Sequence, residues 1–154
     1  MGLPLSNVRI LDFSMIMAGS YCTLVPGDLG AEIIKIERPG VGEIGRGLPP
    51  HYFEGESAYF IAMNRNKRSM TLDLKTPRGR EISYELVKGL DVVIDNFRSG
   101  VLKKLGVDCE TLKKIKPSII CCSISRNLYC EEVNHGKWLC RENTGGRSFN
   151  RQDM

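Results

Sequence analysis

Short, largely apolar runs alternate with longer mixed segments, and this limits the possible folds more than any other feature of the chain. Residues 8–14 (VRILDFS), 31–38 (AEIIKIER), 69–75 (SMTLDLK), 91–97 (DVVIDNF) and 118–125 (SIICCSIS) are bounded by turn residues and read as buried strands. Between them lie helical segments at 18–30, 55–65, 76–90, 101–105 and 109–115. The clearest is 76–90, where Thr76 can cap, Pro77 takes the first helical position, and Ile82, Leu86 and Val87 form an apolar stripe. Segment 18–30 stops at Gly30, and Pro26 is badly placed inside it. Ser57 stands near the start of 55–65, and the Gly- and Pro-dense residues 39–50 read as a long surface loop. Strands of this kind, separated by helices, predict an α/β fold: a Rossmann-like parallel sheet flanked by helices over residues 1–125.

The pattern breaks at Arg126. Residues 126–154 show neither helical nor strand periodicity and are rich in Gly, Asn and Arg, so a divergent, poorly ordered tail is expected there.

Composition excludes several classes. A hydrophobic content of 42% suffices for a core, and a net charge of +4 suits an anionic ligand without the concentrated basic patch expected of a nucleic-acid binder. No apolar run approaches the roughly 18 residues of a membrane span, and the first residues lack a secretory pattern. The six cysteines, Cys22, Cys109, Cys121, Cys122, Cys130 and Cys140, are read as reduced thiols in a cytoplasmic setting. Cys121 and Cys122 are adjacent in a strand and should point to opposite faces. Cys130, His135 and Cys140 match no zinc spacing, so no metal site is expected.

In an open parallel sheet, ligands gather at the carboxyl ends of the strands. Arg38, Lys75, Asn96 and Arg98 stand at the ends of the second, third and fourth strands, and Lys104 follows one short helix later. The denser run of Arg65, Lys67 and Arg68 precedes the third strand and falls at its opposite end. Neither a G-x-G-x-x-G after the first strand nor a G-x-x-x-x-G-K-[ST] occurs, so a phosphate would be held by side chains and isolated amides.

The segments VRILDFSMIMAG, DLGAEIIKIERPGVGE, NRNKRSMTLDLKTPRGRE, DVVIDNFRSGVLKKLG and IKPSIICCSIS together resemble the N-terminal part of the family III coenzyme A transferases. This group contains formyl-CoA transferase, carnitine CoA-transferase and α-methylacyl-CoA racemase. The resemblance implies the truncated N-terminal portion of a larger fold, a CoA or acyl-CoA ligand, and interlocked homodimers. Carried over by position, it implies CoA contacts at Met17 and Ala18, at Arg38, at Leu72, Asp73, Leu74 and Lys75, at Asn96, Phe97 and Arg98, and at Lys104. Family members move CoA between carboxylic acids through an aspartyl-CoA thioester formed on an aspartate beyond the fifth strand. Here that region is replaced by the tail, whose one aspartate, Asp153, lies in an unmatched context, so no catalytic residue is assigned. The expected function is therefore the CoA-binding part of a CoA-transferase, inactive alone. The alternative is a non-catalytic CoA- or nucleotide-binding module, or a partner of a full-length homologue.

Overall fold

The computed structural model describes residues 2–124 and, for residues 128–132 and 138–142, the backbone. Strand β1 (Arg9–Asp12) leads through helix α1 (Ile16–Asp28) to β2 (Glu32–Glu37). A 3-10 turn at Ile44–Gly47, a small hairpin of β3 (Tyr52–Phe53) and β4 (Glu56–Ser57), and α2 (Ala58–Asn64) then precede β5 (Lys67–Thr71). After β5 come α3 (Pro77–Lys88), β6 (Val92–Asp95), α4 (Val101–Leu105), α5 (Cys109–Ile115) and β7 (Ile120–Ser123). The backbones of β8 (Leu128–Glu132) and β9 (Trp138–Glu142) pair antiparallel, in a stretch whose sequence carries no strand periodicity. The rest of the expected poorly ordered tail lies outside the described residues.

Five strands form one sheet in the order β5-β2-β1-β6-β7, and every neighbouring pair is parallel. The chain builds outward from β1 to β5, then crosses back to β6 on the other side of β1. The β1/β6 junction is thus the topological switch point, where loops diverge and leave a crevice.

Both faces of the sheet are buried, which explains the continuous apolar runs. Leu11, Ile36, Val93 and the partly buried Ile34 and Cys121 join one cluster with Val87, Val107 and Leu112. Ile10, Ile33, Ile94 and the partly buried Cys122 join the other. Successive residues alternate between the clusters as a pleated strand requires, and Cys121 and Cys122 do face opposite ways.

Helix α3 begins as its sequence predicts, with Pro77 in the first turn and the Thr76 hydroxyl accepting from the Gly79 amide at 3.0 Å. Gly79 permits a close approach, since a Cβ there would lie 1.9 Å from the Asp73 carbonyl oxygen. Several boundaries differ from the sequence expectation, and β5 begins at Lys67, so that Lys67 and Arg68 lie inside the strand paired with Ile33 and Ile34 and not before it. Strand β5 ends at Thr71 instead of continuing to Lys75, because the Asp73 carboxylate accepts from the Lys75 amide at 3.0 Å and turns the chain. Helix α1 runs from Ile16 to Asp28 and carries Pro26 within its last turn, where the ring removes the amide that would bond the Cys22 carbonyl.

Helix α1 turns small and hydroxyl-bearing residues inward and apolar side chains outward. Gly19, Ser20, Thr23, Leu24 and Gly27 face inward, while Met17, Tyr21 and Val25 form an exposed stripe that Leu29 extends.

The inner face of α1 covers a charged centre. Asp12, fully buried at the end of β1, accepts from the Ser14 amide at 2.8 Å, from the Ser14 hydroxyl, and from the Thr23 hydroxyl at 2.7 Å. Its outer oxygen faces Lys67 Nζ at 3.5 Å and Lys35 Nζ at 3.7 Å. Lys35 donates to the Ser14 carbonyl at 2.9 Å, and Lys67 donates to the Ser20 carbonyl at 2.8 Å and to Asn64 Oδ1 at 3.0 Å. Burial draws the Lys67 ammonium down to about 8, against the pull of Asp12. Removing one partner from such a group leaves uncompensated buried charge. Asp12→Ala is expected to cost about 3–5 kcal/mol in urea unfolding. Arg68→Ala breaks an exposed pair with Glu32 and should cost less than about 1 kcal/mol. Equal costs for the two substitutions would contradict the buried-charge account.

Candidate functional site

The carboxyl ends of β1, β2, β5 and β6 surround a cavity of about 240 Å³. Its apolar lining comes from Phe13 and Met15 after β1, Ile36 in β2, Leu72 and Leu74 after β5, Phe97 after β6, and Val101 and Leu105 of α4. Arg38, Asp73 and Lys75 bring polar groups, and Glu37, Gly42 and Glu43 complete the wall.

That wall is held by two buried carboxylates. Glu37 closes β2 and receives Arg46 on both oxygens, each at 2.7 Å, with the Ser69 hydroxyl at 2.6 Å and the Glu43 amide at 2.8 Å. Burial alone would raise its pKa, but Arg46, Ser69 and the Glu43 amide outweigh it and hold the carboxyl down at about 2. Arg46 also reaches Glu56 at 2.9 Å and lies 3.9 Å from the centre of the Phe60 ring. Glu43 caps the 3-10 turn through the Gly45 amide and accepts the Ile16 amide at 2.7 Å. Ile16 has φ 56°, unusual for a β-branched residue, and this bond fixes its amide at the first turn of α1.

Asn96 spans the switch point. Its side-chain oxygen accepts the Met15 amide at 2.8 Å and its side-chain nitrogen donates to the Met15 carbonyl, so one amide ties the end of β6 to the end of β1. Next to it, burial pushes the Asp95 carboxyl up, opposed by the Ser123 hydroxyl and the Phe97 amide.

The structure brings Arg38, Leu72, Asp73, Leu74, Lys75 and Phe97, all among the residues singled out from the sequence, together around the cavity. Asn96 stands beside it with its side chain committed to Met15. Met17, Ala18, Arg98 and Lys104 are exposed and do not line it. Sequence reasoning missed Phe13, Met15, Ile36, Glu37, Gly42, Glu43, Val101 and Leu105. The position of Phe13 and Ile36 near strand ends was an available signal; the Glu37–Arg46 pairing had none.

The two groups of cations differ in how they are used. Arg65 and Asn66 bond Asp28 at 2.6 and 2.8 Å, Lys67 faces Asp12, and Arg68 reaches Glu32 at 3.0 Å, so that run is consumed inside the protein. By contrast, the side chains of Arg38, Lys75, Arg98 and Lys104 make no hydrogen bond or ion pair among the described residues. Two of these four, Arg38 and Lys75, stand at an apolar cavity. Among the described residues no cluster of three metal-ligating side chains occurs, and no helix is long and apolar enough to cross a membrane.

Comparison with known proteins decides the family, since the profile of CoA-transferase family III matches residues 5–129. The chain belongs to CoA-transferase family III. It is 46% identical over 122 residues to succinyl-CoA:glutarate CoA-transferase of Mus musculus, covering 79% of this chain and 28% of that protein. It is 44% identical over 124 residues to formyl-CoA:oxalate CoA-transferase of Afipia carboxidovorans, covering 80% of this chain and 29% of that protein. The crystal structure of a CAIB/BAIF family protein from Brucella suis superposes with a TM-score of 0.78 at 40% identity, over 86% of this chain and 36% of that one. The chain thus spans under a third of the length of these curated relatives and matches their fold as an N-terminal region of the family.

The Glu37 carboxylate sets an acid limit for the cavity wall. Its folded pKa lies below its unfolded value, so its contribution is present above about pH 4.5 and is lost as pH falls toward about 2. That contribution is roughly 3 kcal/mol from the size of the shift. Urea unfolding followed from pH 7 to pH 3 should show the parent losing stability below pH 4.5. Glu37→Gln should be less stable at pH 7 and flatter across that window, and parallel curves for the two proteins would refute the assignment.

Proposed function

We propose that the cavity binds the nucleotide portion of coenzyme A or an acyl-CoA. On this reading the chain supplies the CoA-binding side of an enzyme that moves CoA between carboxylic acids through an aspartyl-CoA thioester. One observation carries the reading: an apolar cavity at the switch point has two cations, Arg38 and Lys75, with no protein partner among the described residues. Phe13, Leu72 and Phe97 offer a surface for a flat base, and the cations offer charge-assisted hydrogen bonds to phosphate. Family membership supports the same ligand class. Arg98 and Lys104 are exposed rim cations beyond the cavity and contribute a general positive field.

No aspartate is assigned as nucleophile, so the chain alone is proposed to be inactive in transfer. A cytoplasmic location and homodimers of the family type belong to this proposal. The alternative, a non-catalytic CoA-binding partner of a full-length homologue, draws support from the exposed apolar stripe of α1.

Calorimetry at fixed salt tests the ligand. The folded parent should bind CoA, and Arg38→Glu and Lys75→Glu should each weaken binding by roughly 10- to 100-fold, the cost of one charge-assisted contact. Arg98→Glu, outside the cavity, should change affinity less than threefold. A folded parent that ignores CoA, or three equal effects, would overturn the site. Turnover with formyl-CoA or succinyl-CoA that Asp153→Ala abolishes would overturn the claim of inactivity.

A further inference from the structure

One peptide at the switch point is held in a conformation that its own side chain opposes. Ile16 opens α1 with φ 56°, in the left-handed region where a β-branched residue is strained. Met15, just before it, is extended and lines the cavity. Strain of this kind persists only where the surroundings over-determine the backbone.

Two side chains do so, and both grip the same peptide group. Asn96, at the end of β6, accepts the Met15 amide at 2.8 Å and donates to the Met15 carbonyl. That carbonyl belongs to the peptide whose nitrogen is the Ile16 amide. Glu43, 2% exposed beside the 3-10 turn, accepts this amide at 2.7 Å. The Met15–Ile16 peptide is therefore held at its oxygen by Asn96 and at its nitrogen by Glu43. Turning the peptide plane over would bring Ile16 back to an ordinary negative φ, and it would break both bonds. Gly19 lets the first turn of α1 close on this point, since a Cβ there would lie 2.2 Å from Ser14 Cβ and 3.1 Å from Asn96 Cγ.

We infer that Asn96 and Glu43 are positioning residues that jointly lock the Met15–Ile16 peptide against a flip and so keep Met15 in the cavity wall. Asn96 then acts on a ligand through Met15 and not by touching it. The effect on affinity rests on the CoA reading, whereas the lock itself does not.

Losing either grip leaves a buried backbone group unpaired and lets Ile16 relax. Glycine takes positive φ about as readily as negative, so Ile16→Gly removes the conflict that the two side chains restrain. It should therefore compensate for the loss of either one. A direct contact between Asn96 and a ligand could not be replaced in that way.

The test uses the full chain, with calorimetry on CoA at fixed salt and amide exchange followed by NMR without ligand. Asn96→Ala and Glu43→Ala should each weaken CoA binding roughly 10-fold in the parent. In the Ile16→Gly background each should cost less than about threefold, because coupled neighbours depart from additivity. Equal losses in the two backgrounds would mark independent contacts and overturn the inference. Without ligand, each alanine variant should speed exchange at both the Met15 and the Ile16 amides. A variant that frees only its own partner would also overturn it. Ile16→Gly should have a higher urea midpoint than Ile16→Ala, the reverse of the order at an ordinary helix position. This comparison reads the strain even if the alanine variants at 43 and 96 unfold, and the ordinary order would refute it. A folded parent that ignores CoA removes the ligand reading alone, and the exchange rates then decide the lock.

Discussion

The buried carboxylate of Asp12 is the constraint around which this half of the sheet is arranged. It joins the end of β1 to lysines from β2 and β5 and to Thr23 of α1, so three strands and one helix converge on a single anion. Charge removed from water is tolerable only when paired and hydrogen-bonded. The arrangement therefore fixes where the strands end relative to one another, more sharply than apolar packing does. Ser14, which bonds Asp12 and accepts from Lys35, carries the chain from that centre directly to the cavity edge at Met15.

From there a second tier of hydrogen bonds shapes the wall of the cavity. Asn96 fastens the end of β6 to Met15, Glu43 catches the first amide of α1, and Glu37 gathers Arg46, Ser69 and the Glu43 backbone. These bonds are directional and mostly buried, and they hold a wall over an apolar floor. Protein acceptors consume the inward cations, whereas Arg38 and Lys75 have no partner among the described residues. The division explains why a run as basic as NRNKRS belongs to the scaffold, whereas sparser charges mark the proposed binding surface.

Much of the fold was legible because burial on both faces forces continuous apolar strands, and because Thr76 and Pro77 announce a helix start by local chemistry alone. The rim residues Arg38 and Lys75 were legible for a topological reason: strand ends in a parallel sheet share one side. What escaped was set at long range. Lys67 resembles a solvated charge until Asp12, 55 residues earlier, is placed beside it. The loop at 39–50 reads as surface because nothing local reveals that Arg46 will meet Glu37 and Glu56. Arg98 and Lys104 satisfied the positional rule yet lie beyond the cavity, since the rule locates an edge of the sheet and not the direction of a long side chain.

The exposed apolar stripe of α1 has a consequence for what stability means in this chain. Met17, Tyr21 and Val25 stay in water while the inner face of the same helix covers the charged centre. Anything that buries the outer stripe and prefers the folded helix becomes a thermodynamic reservoir for the centre beneath. By mass action, such a component present at a hundred times its dissociation constant adds about 2.7 kcal/mol to the folded state. Part of the free energy that keeps Asp12, Lys35 and Lys67 dry can thus reside outside this stretch of polypeptide, coupled to it through about two turns of exposed side chains.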